Sequence, residues 1–290
     1  MSRRTGLTIG ALTAAVILLA GACREEAPAG GGGGGGGDGG EEAPSITTLQ
    51  EGILTVGTDM PYPPFESREG GEVVGFDADI INEIATRIGL TTEWVDSPFD
   101  TIFTDLASGQ FDVVISGATI TPEREEQVNF SIPYFRSLQA LTVQEDSGIA
   151  TFDDVGDGHV VAVQSGTTGE LWAEDNLVPN GAEIRAFPDY PPLYNALEAG
   201  QVDAVVFDES SAVPEVAASD GIELVDTVDT EEAYGIAVDP NNPDLLDAVN
   251  EALQAMIDDG TYDQIYNAYP TCPEGAPQCM VAGGTVTAAE

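Results

Sequence analysis

Lysine is missing from this chain. All eight basic residues among its 290 are arginine, and they face 51 aspartates and glutamates, for a net charge of −43. A surface of that sign repels phosphate backbones and anionic headgroups, which excludes nucleic acid as a partner. Histidine and cysteine are nearly as scarce, with only His159, Cys23, Cys272 and Cys279. So few ligating groups supply no metal cluster, and without lysine there is no phosphate-cradling GK[ST] pattern. Neither a metal nor another cofactor is expected. The apolar stretch LTIGALTAAVILLA near the start falls short of the ~20 residues that an ordinary membrane-spanning helix needs. What the chain has in excess is acid. A solvated acidic coat keeps a protein soluble, and it also suits a saline setting, because at ~1 M salt the Debye length shrinks to about 3 Å and self-repulsion fades.

The first segment is an address. MSRRTG carries two positive charges, and the apolar stretch ends in LAGAC. This resembles a bacterial lipoprotein signal, with residues 1–22 removed and Cys23 lipidated. It departs from the usual pattern at Ala20, where leucine is common, and ordinary secretion with a free Cys23 is the alternative. Residues 23–44, dominated by REEAPAGGGGGGGGDGGEEAP, offer nothing large enough to anchor a core and form a flexible tether. Lipid, tether and domain in that order place the domain at the outer face of the cytoplasmic membrane. In that oxidising space Cys272 and Cys279, in CPEGAPQC, read as a local disulfide closing the tail. Metal binding competes with that reading, but no histidine or further cysteine is near enough in sequence to complete a site.

From Ile53 onward short apolar runs alternate with helical patterns, which is α/β organisation. ILTVG, TTEWV, FDVVIS, VVAVQSG, AEIRAF and VDAVVF read as strands, and runs such as VVI and AVVF predict strands buried on both faces, as in parallel sheets. FDADIINEIATRIG places Ile80, Ile81, Ile84, Ala85 and Ile88 on one helical face, and NPDLLDAVNEALQAMIDDG is a late amphipathic helix. One phrase is written twice: LASGQFDVVI from Leu106 and LEAGQVDAVV from Leu197. Each copy ends a helix at a glycine (Gly109, Gly200), turns through an aspartate (Asp112, Asp203) and enters a buried strand. Ligands in open α/β sheets bind beyond the carboxyl ends of strands, so the residues that follow each copy are the ones to inspect.

After the first copy come Ser116, Gly117, Ala118, Thr119, Ile120, Thr121, Pro122, Glu123 and Arg124. Thr121-Pro122 has the form of a helix start. Hydroxyls, backbone N–H groups and an arginine fork suit a carboxylate, while the plainer reading pairs Arg124 with Glu123 or Glu126 on a helix surface. After the second copy comes Asp208, which suits an ammonium group or, equally on sequence alone, caps the helix that follows. A carboxylate subsite and an ammonium subsite together describe an α-amino acid or another small zwitterion. Tyr62 and Phe99 are candidates to grip its side chain, and Phe65 reads as core. In VQSGTTGE, Gly166, Thr167 and Thr168 lie past another strand and before a helix, where N–H donors are free, and Gln164 in that strand is a further ligand-binding candidate.

GTDMPYPPFE, EVVGFDADIINEIA, GQFDVVISGATITPER, FSIPYF, VAVQSGTTGE, AGQVDAVVFDES and YGIAV resemble, in their order, the bacterial solute-binding proteins of the polar amino-acid type, family 3, that serve ABC importers. The resemblance runs from Ile53 to about Tyr269. It implies two α/β lobes joined by two hinge crossings and closing like a flytrap (type II), with residues 45–136 and 233–290 in one lobe and 137–232 in the other. It implies that Arg124 clamps the ligand carboxylate with Thr119 and the Thr168 backbone. Asp208 would hold the ammonium, helped by the Gly117 carbonyl and the Thr119 hydroxyl. Tyr62 and Phe99 would sandwich the side chain, and Asp59 would face its tip. It also implies a monomer that delivers to ABC permease membrane subunits. Gly117 replaces a serine found in some relatives, and Phe207 replaces a histidine of some glutamine binders, so no single relative's specificity carries over. Asp59 and the lack of cations favour a polar neutral or basic amino acid over an acidic one. A zwitterionic osmolyte is the alternative ligand.

Two other classes share such a fold: dehydratase-type enzymes and sensor input domains. Catalysis needs a positioned acid or base, and His159 stands just before a strand in DGHVV, with no nucleophile–base pair or metal cluster in the sequence. A sensor would need a signalling module that this chain does not carry. The expectation is a binding protein and not an enzyme.

Overall fold

The computed structural model of the protein describes residues 46–269. The expected signal and tether, Cys23, and the expected disulfide partners Cys272 and Cys279 lie outside the described residues. Among the described residues no helix is long and apolar enough to cross a membrane.

The chain opens with β1 (Ile53–Thr58), the hairpin β2 (Ser67–Glu69) and β3 (Glu72–Val74), α1 (Phe76–Arg87), β4 (Thr91–Asp96), α2 (Ile102–Ala107), β5 (Val113–Val114), α3 (Pro122–Glu125) and β6 (Asn129–Phe130). A crossing, β7 (Phe135–Arg136), leads to β8 (Gln139–Gln144), β9 (Val160–Gln164), α4 (Thr168–Asn176), β10 (Glu183–Phe187), α5 (Pro191–Glu198), β11 (Ala204–Asp208), α6 (Glu209–Ala218) and β12 (Ile222–Val228). The return runs through β13 (Ala233–Tyr234) to β14 (Ala237–Val238), α7 (Pro243–Asp259) and α8 (Thr261–Tyr266).

Two five-stranded sheets result, ordered β4-β1-β5-β14-β6 and β10-β9-β11-β8-β12. Buried apolar runs predict parallel sheets, and here the structure differs. Only β4, β1 and β5 in one sheet, and β10, β9 and β11 in the other, run parallel. β14 joins β5 antiparallel, and β8 joins β11 antiparallel. The reason is the pair of crossings. β11 ends at Asp208, where β8, arriving from the crossing, begins at Gln139, and these two residues are register partners. A strand that starts at the hinge must run against one that finishes there. FDVVIS is likewise shorter as a ladder than its sequence suggests: only Val113–Val114 are strand, although the Ile115 amide still donates to the Gly57 carbonyl at 3.2 Å.

The helices form where periodicity and caps coincide. α7 starts on Asn242, whose side chain accepts from the Leu245 amide, with Pro243 at the first helical position. It buries Leu245, Val249, Ala252, Leu253 and Met256 along one face and stops at Gly260, which is left-handed at φ 81°. α1 buries Ile80, Ile81, Ile84 and Ala85, while Ile88 is its C-cap and only half-buried.

The duplicated phrase has one geometry in both copies. Gly109 and Gly200 take φ values of 76° and 64°, and their amides cap the preceding helices on Leu106 and Leu197. The Asp112 carboxylate then accepts the Thr55 amide of β1 at 2.8 Å, and the Asp203 carboxylate accepts the Val160 amide of β9 at 2.7 Å. Their own amides donate back, to the Thr55 and Val160 carbonyls at 2.9 and 2.8 Å. Each aspartate thus fixes the register of a central strand from its N-terminal end. The carboxyl ends of β1, β5, β9 and β11 consequently meet at one crevice.

Candidate ligand-binding site

The crevice is lined by Asp59, Tyr62, Phe99, Ser116 and Gly117 from the first sheet's loops and by Gln164, Thr167, Phe207 and Asp208 from the second's. The cavity left between them is about 20 Å³, room for about one water, so the two sides must part before an amino acid can enter. The two sides touch through polar bonds. Tyr62 Oη donates to Asp208 Oδ2 at 2.6 Å, and Gln164 Nε2 donates to Asp59 Oδ2 at 2.6 Å. The Tyr62 ring also meets Tyr190 and Phe207 edge-on, with centroids 5.8 and 5.6 Å apart. Phe65, fully buried, stacks behind Tyr62 as core.

Arg124 is held beside this cleft by local sequence. Thr121 caps α3 by accepting the Arg124 amide at 3.2 Å, with Pro122 at the first helical position. That fixes the backbone so that the side chain runs inward, and Arg124 is 8 % exposed. Its Nη1 donates to the Thr119 carbonyl at 2.7 Å, and its Nη2 donates to the Gly166 carbonyl on the opposite side at 3.1 Å. The guanidinium carbon lies 5.2 Å from the Phe99 ring centre and 4.7 Å from that of Phe103, an arrangement in which the rings hold the cation flat. The surface pairing with Glu123 or Glu126 is not formed. Among the described residues no carboxylate oxygen lies within 4.0 Å of this guanidinium. Burial pulls its pKa down to about 10, so it remains charged at neutral pH.

The capping role left open for Asp208 is also not taken: its side chain makes no cap bond to α6. The carboxylate instead accepts from Tyr62 and, at 2.6 Å, from Gln139 Nε2. Burial first, and then the neighbouring Glu232 charge, push its pKa up to about 6. Asp59 is raised to about 7, mainly by burial, with Asp189 and Asp96 adding repulsion.

The hydroxyls of the site are already committed. Ser116 donates to Glu66 and accepts the Asp59 amide at 3.1 Å. Thr167 caps α4 through the Glu170 amide and donates to the Gln164 carbonyl. Thr119 and Thr168 both donate to Glu232. The backbone amides of Thr119 and Thr168 find no acceptor among the described residues. Thr119, Arg124 and Thr168 are not among the residues that line the crevice; what they hold for a carboxylate beside it is these amides, the α4 N-terminus and the unused N–H groups of Arg124, rather than hydroxyl protons. Gly117 is needed at its place for two reasons: its φ is 51°, and a Cβ there would come within 2.5 Å of the Tyr62 ring.

Four residues of this neighbourhood are not singled out as site residues by the sequence: Glu232, Gln139, Phe103 and the buried pair-member Glu66. Glu232 and Gln139 lie at the crossings, where no strand-end rule points. Phe103 sits inside the helix that the first copy of the repeated phrase ends, away from the strand ends. Behind the cleft wall, Glu66 and Asp77 are fully buried, and burial raises both, Asp77 to about 7.

Four carboxyls raised on folding have a consequence for stability. Between pH 4 and 7 the folded chain binds more protons than the unfolded one through Asp59, Glu66, Asp77 and Asp208. Stability then falls as pH rises through that window. Thermal unfolding without ligand should give a higher Tm at pH 5.5 than at pH 8. An equal or lower Tm at pH 5.5 would show that these carboxyls are not raised in the folded protein.

The model of the bacterial extracellular solute-binding proteins, family 3, matches residues 54–271. The chain is 33 % identical over 221 residues to a probable histidine-binding protein of Neisseria gonorrhoeae, an alignment spanning 75 % of this chain and 82 % of that protein. Among solved structures, an ancestral arginine-binding protein bound to arginine matches with a TM-score of 0.71 and 40 % identity, covering 75 % of this chain and 98 % of the other. An ancestral amino acid-binding protein, AncCDT-1, a precursor of cyclohexadienyl dehydratase, matches at TM-score 0.69 and 37 % identity, over 75 % and 95 %. The two-sheet architecture, the crevice between strand ends and these similarities agree: the chain belongs to the bacterial extracellular solute-binding proteins, family 3.

Proposed function

We propose that this protein is the extracytoplasmic substrate-binding component of an ABC importer, that it captures a polar neutral or basic amino acid, and that it does no chemistry on it. The observation that carries the reading is the enclosed Arg124, with no carboxylate within 4.0 Å among the described residues, packed on Phe99 beside the crevice that Asp208 lines. In this reading the ligand carboxylate takes the free N–H groups of Arg124 and the amides of Thr119 and Thr168. Its ammonium lies against Asp208, the Gly117 carbonyl and the Thr119 hydroxyl, which can accept while donating to Glu232. Tyr62 and Phe99 flank the side chain, and Asp59, held by Gln164, meets its tip. Asp59 favours a basic tip, and the histidine- and arginine-binding relatives support that class.

The division of the chain into lobes at 136/137 and 232/233, lipid anchoring through Cys23, a Cys272–Cys279 disulfide, a monomeric state and delivery to permease subunits are parts of the same proposal. The pairing of β7 with β13 and the Arg136–Asp229 ion pair at 3.5 Å support hinge crossings at those positions. A ligand that contacts both lobes shifts the population toward the closed form, which membrane subunits can then recognise. Against an enzyme stands the place of His159: its Nδ1 accepts the Gly156 amide at 3.1 Å, at the end of β9 opposite Gln164 and the cleft.

Calorimetry against the proteinogenic amino acids and zwitterionic osmolytes tests the proposal. The expected result is micromolar binding, near −8 kcal/mol, by at least one polar neutral or basic amino acid. For a basic ligand the affinity should fall as pH drops from 8 to 5.5, because Asp59 and Asp208 take up protons near pH 7 and 6. No binding by any amino acid would sink it.

A further inference from the structure

Glu232 sits at the return crossing, immediately before β13, and it is 8 % exposed. Its aim is set locally. Glu231, at φ 59°, is the only non-glycine with a positive φ among the described residues, a conformation that costs energy and persists where surroundings impose it. The Glu231 amide donates to Asp229 Oδ1 at 2.9 Å, and Asp229 is itself paired with Arg136 of the other crossing. This tight turn sends the Glu232 side chain inward. There its Oε2 accepts from two hydroxyls: Thr119 Oγ1 at 3.0 Å, on the loop after β5, and Thr168 Oγ1 at 2.8 Å, at the start of α4. Thr230 Oγ1 donates to Oε1 at 2.8 Å, and Gln139 Nε2, which also holds Asp208, lies 3.4 Å from both oxygens.

Thr119 belongs to the first sheet's loops and Thr168 to the second's, so one carboxylate oxygen ties both sides of the cleft to the hinge. The same two residues carry backbone amides with no acceptor among the described residues, and the Thr119 carbonyl accepts from Arg124. We propose that Glu232 is a positioning residue of the ligand site, which brings Thr119 and Thr168 together on one oxygen so that their amides converge and the closed arrangement is favoured before ligand arrives. The proposal rests on the binding reading for its affinity arm alone; its closure arm needs no ligand.

The test uses the full chain with one dye on each side of the cleft, introduced as non-natural amino acids at the exposed Glu125 and Glu174. Single-molecule energy transfer without ligand should show a closed population in the wild type. Glu232→Ala should reduce that population several-fold, and Glu232→Gln, which keeps one acceptor oxygen, should fall between. Thr168→Val removes one donor and leaves the hinge untouched, so it carries the same test if Glu232→Ala fails to fold. The double variant should lose no more than Glu232→Ala alone, because both act on one tie. For whichever amino acid binds, the Kd should rise by the factor by which the closed fraction falls. A wild type wholly open without ligand, or a closed fraction unchanged by Glu232→Ala or Thr168→Val, overturns the proposal. Failure of every amino acid to bind would overturn the function proposed above while leaving the distance measurement decisive here.

Discussion

Replacing Arg124 by alanine is expected to raise the Kd of the best amino-acid ligand by two to three orders of magnitude. The size follows from what is left behind. A ligand carboxylate drawn into the cleft without its guanidinium is a buried charge without a partner, which costs about 3–5 kcal/mol, and each 1.4 kcal/mol is a factor of ten. The side chain also joins the two sides through Gly166 and lies flat on Phe99 and Phe103, so some of the loss comes from looser closure. Arg124→Lys separates these effects. It keeps the charge but loses the planar fork, and it should recover part of the affinity while remaining clearly weaker than wild type. Isothermal calorimetry reads both variants. An unchanged Kd for Arg124→Ala would remove Arg124 from the site and with it the zwitterion reading.

Asp208→Asn should cost nearly as much, about 2–5 kcal/mol, because it discharges one partner of an enclosed, hydrogen-bonded charge pair. The side chain keeps its shape and one acceptor oxygen, so the bonds from Tyr62 and Gln139 need only partial rearrangement. What disappears is the negative charge for the ligand ammonium. Two features distinguish this from general damage. The variant should fold with a Tm at pH 8 equal to or above wild type, since a carboxyl whose pKa is pushed up to about 6 destabilises the folded chain when ionised. The fall of affinity with acidification should also shrink, leaving only the part due to Asp59. If instead Asp208→Asn binds as well as wild type and retains the full pH dependence, the ammonium is held elsewhere.

Much of the site was legible because α/β chains place ligands by a rule about strand ends. The duplicated phrase marked the two central strands, and reading past each copy led to Ser116–Arg124 and to Asp208. The structure brings Ser116, Gly117 and Asp208 to one crevice with Asp59, Tyr62 and Phe99, and sets Arg124 against Phe99 at its side. The cap of α3 was readable too, since Thr121-Pro122 is a local signal and local hydrogen bonds form it. Parallel pairing, the inference from VVI and AVVF, holds on one side of each strand and fails on the other. Burial on both faces reports helices above and below a strand, not the direction of its neighbours, and that direction here depends on where the chain re-enters after a crossing.

Glu232 shows the limit most clearly. Nothing in DTEEAYG separates Glu232 from Glu231: both are acidic, adjacent and in a turn-rich stretch. The backbone decides between them, one residue held left-handed and exposed, the next turned inward to two threonines 113 and 64 positions away. Gln139 lies in no strand read from the sequence, and its role comes from lying opposite Asp208 in an antiparallel register.

By itself the sequence determined the acidic, lysine-free character, the alternation that commits the chain to two α/β sheets, the helix caps and the strand ends at which polar groups are exposed. Those features depend on neighbours within a few residues, or on composition, and a linear reading contains them. The tertiary structure alone decided which hydroxyls are committed, which amides stay free, that Arg124 meets no carboxylate among the described residues, and that one glutamate serves both sides of the cleft. These are relations between residues distant in the chain, set by distances of about 3 Å, the scale on which a hydrogen bond is made or lost.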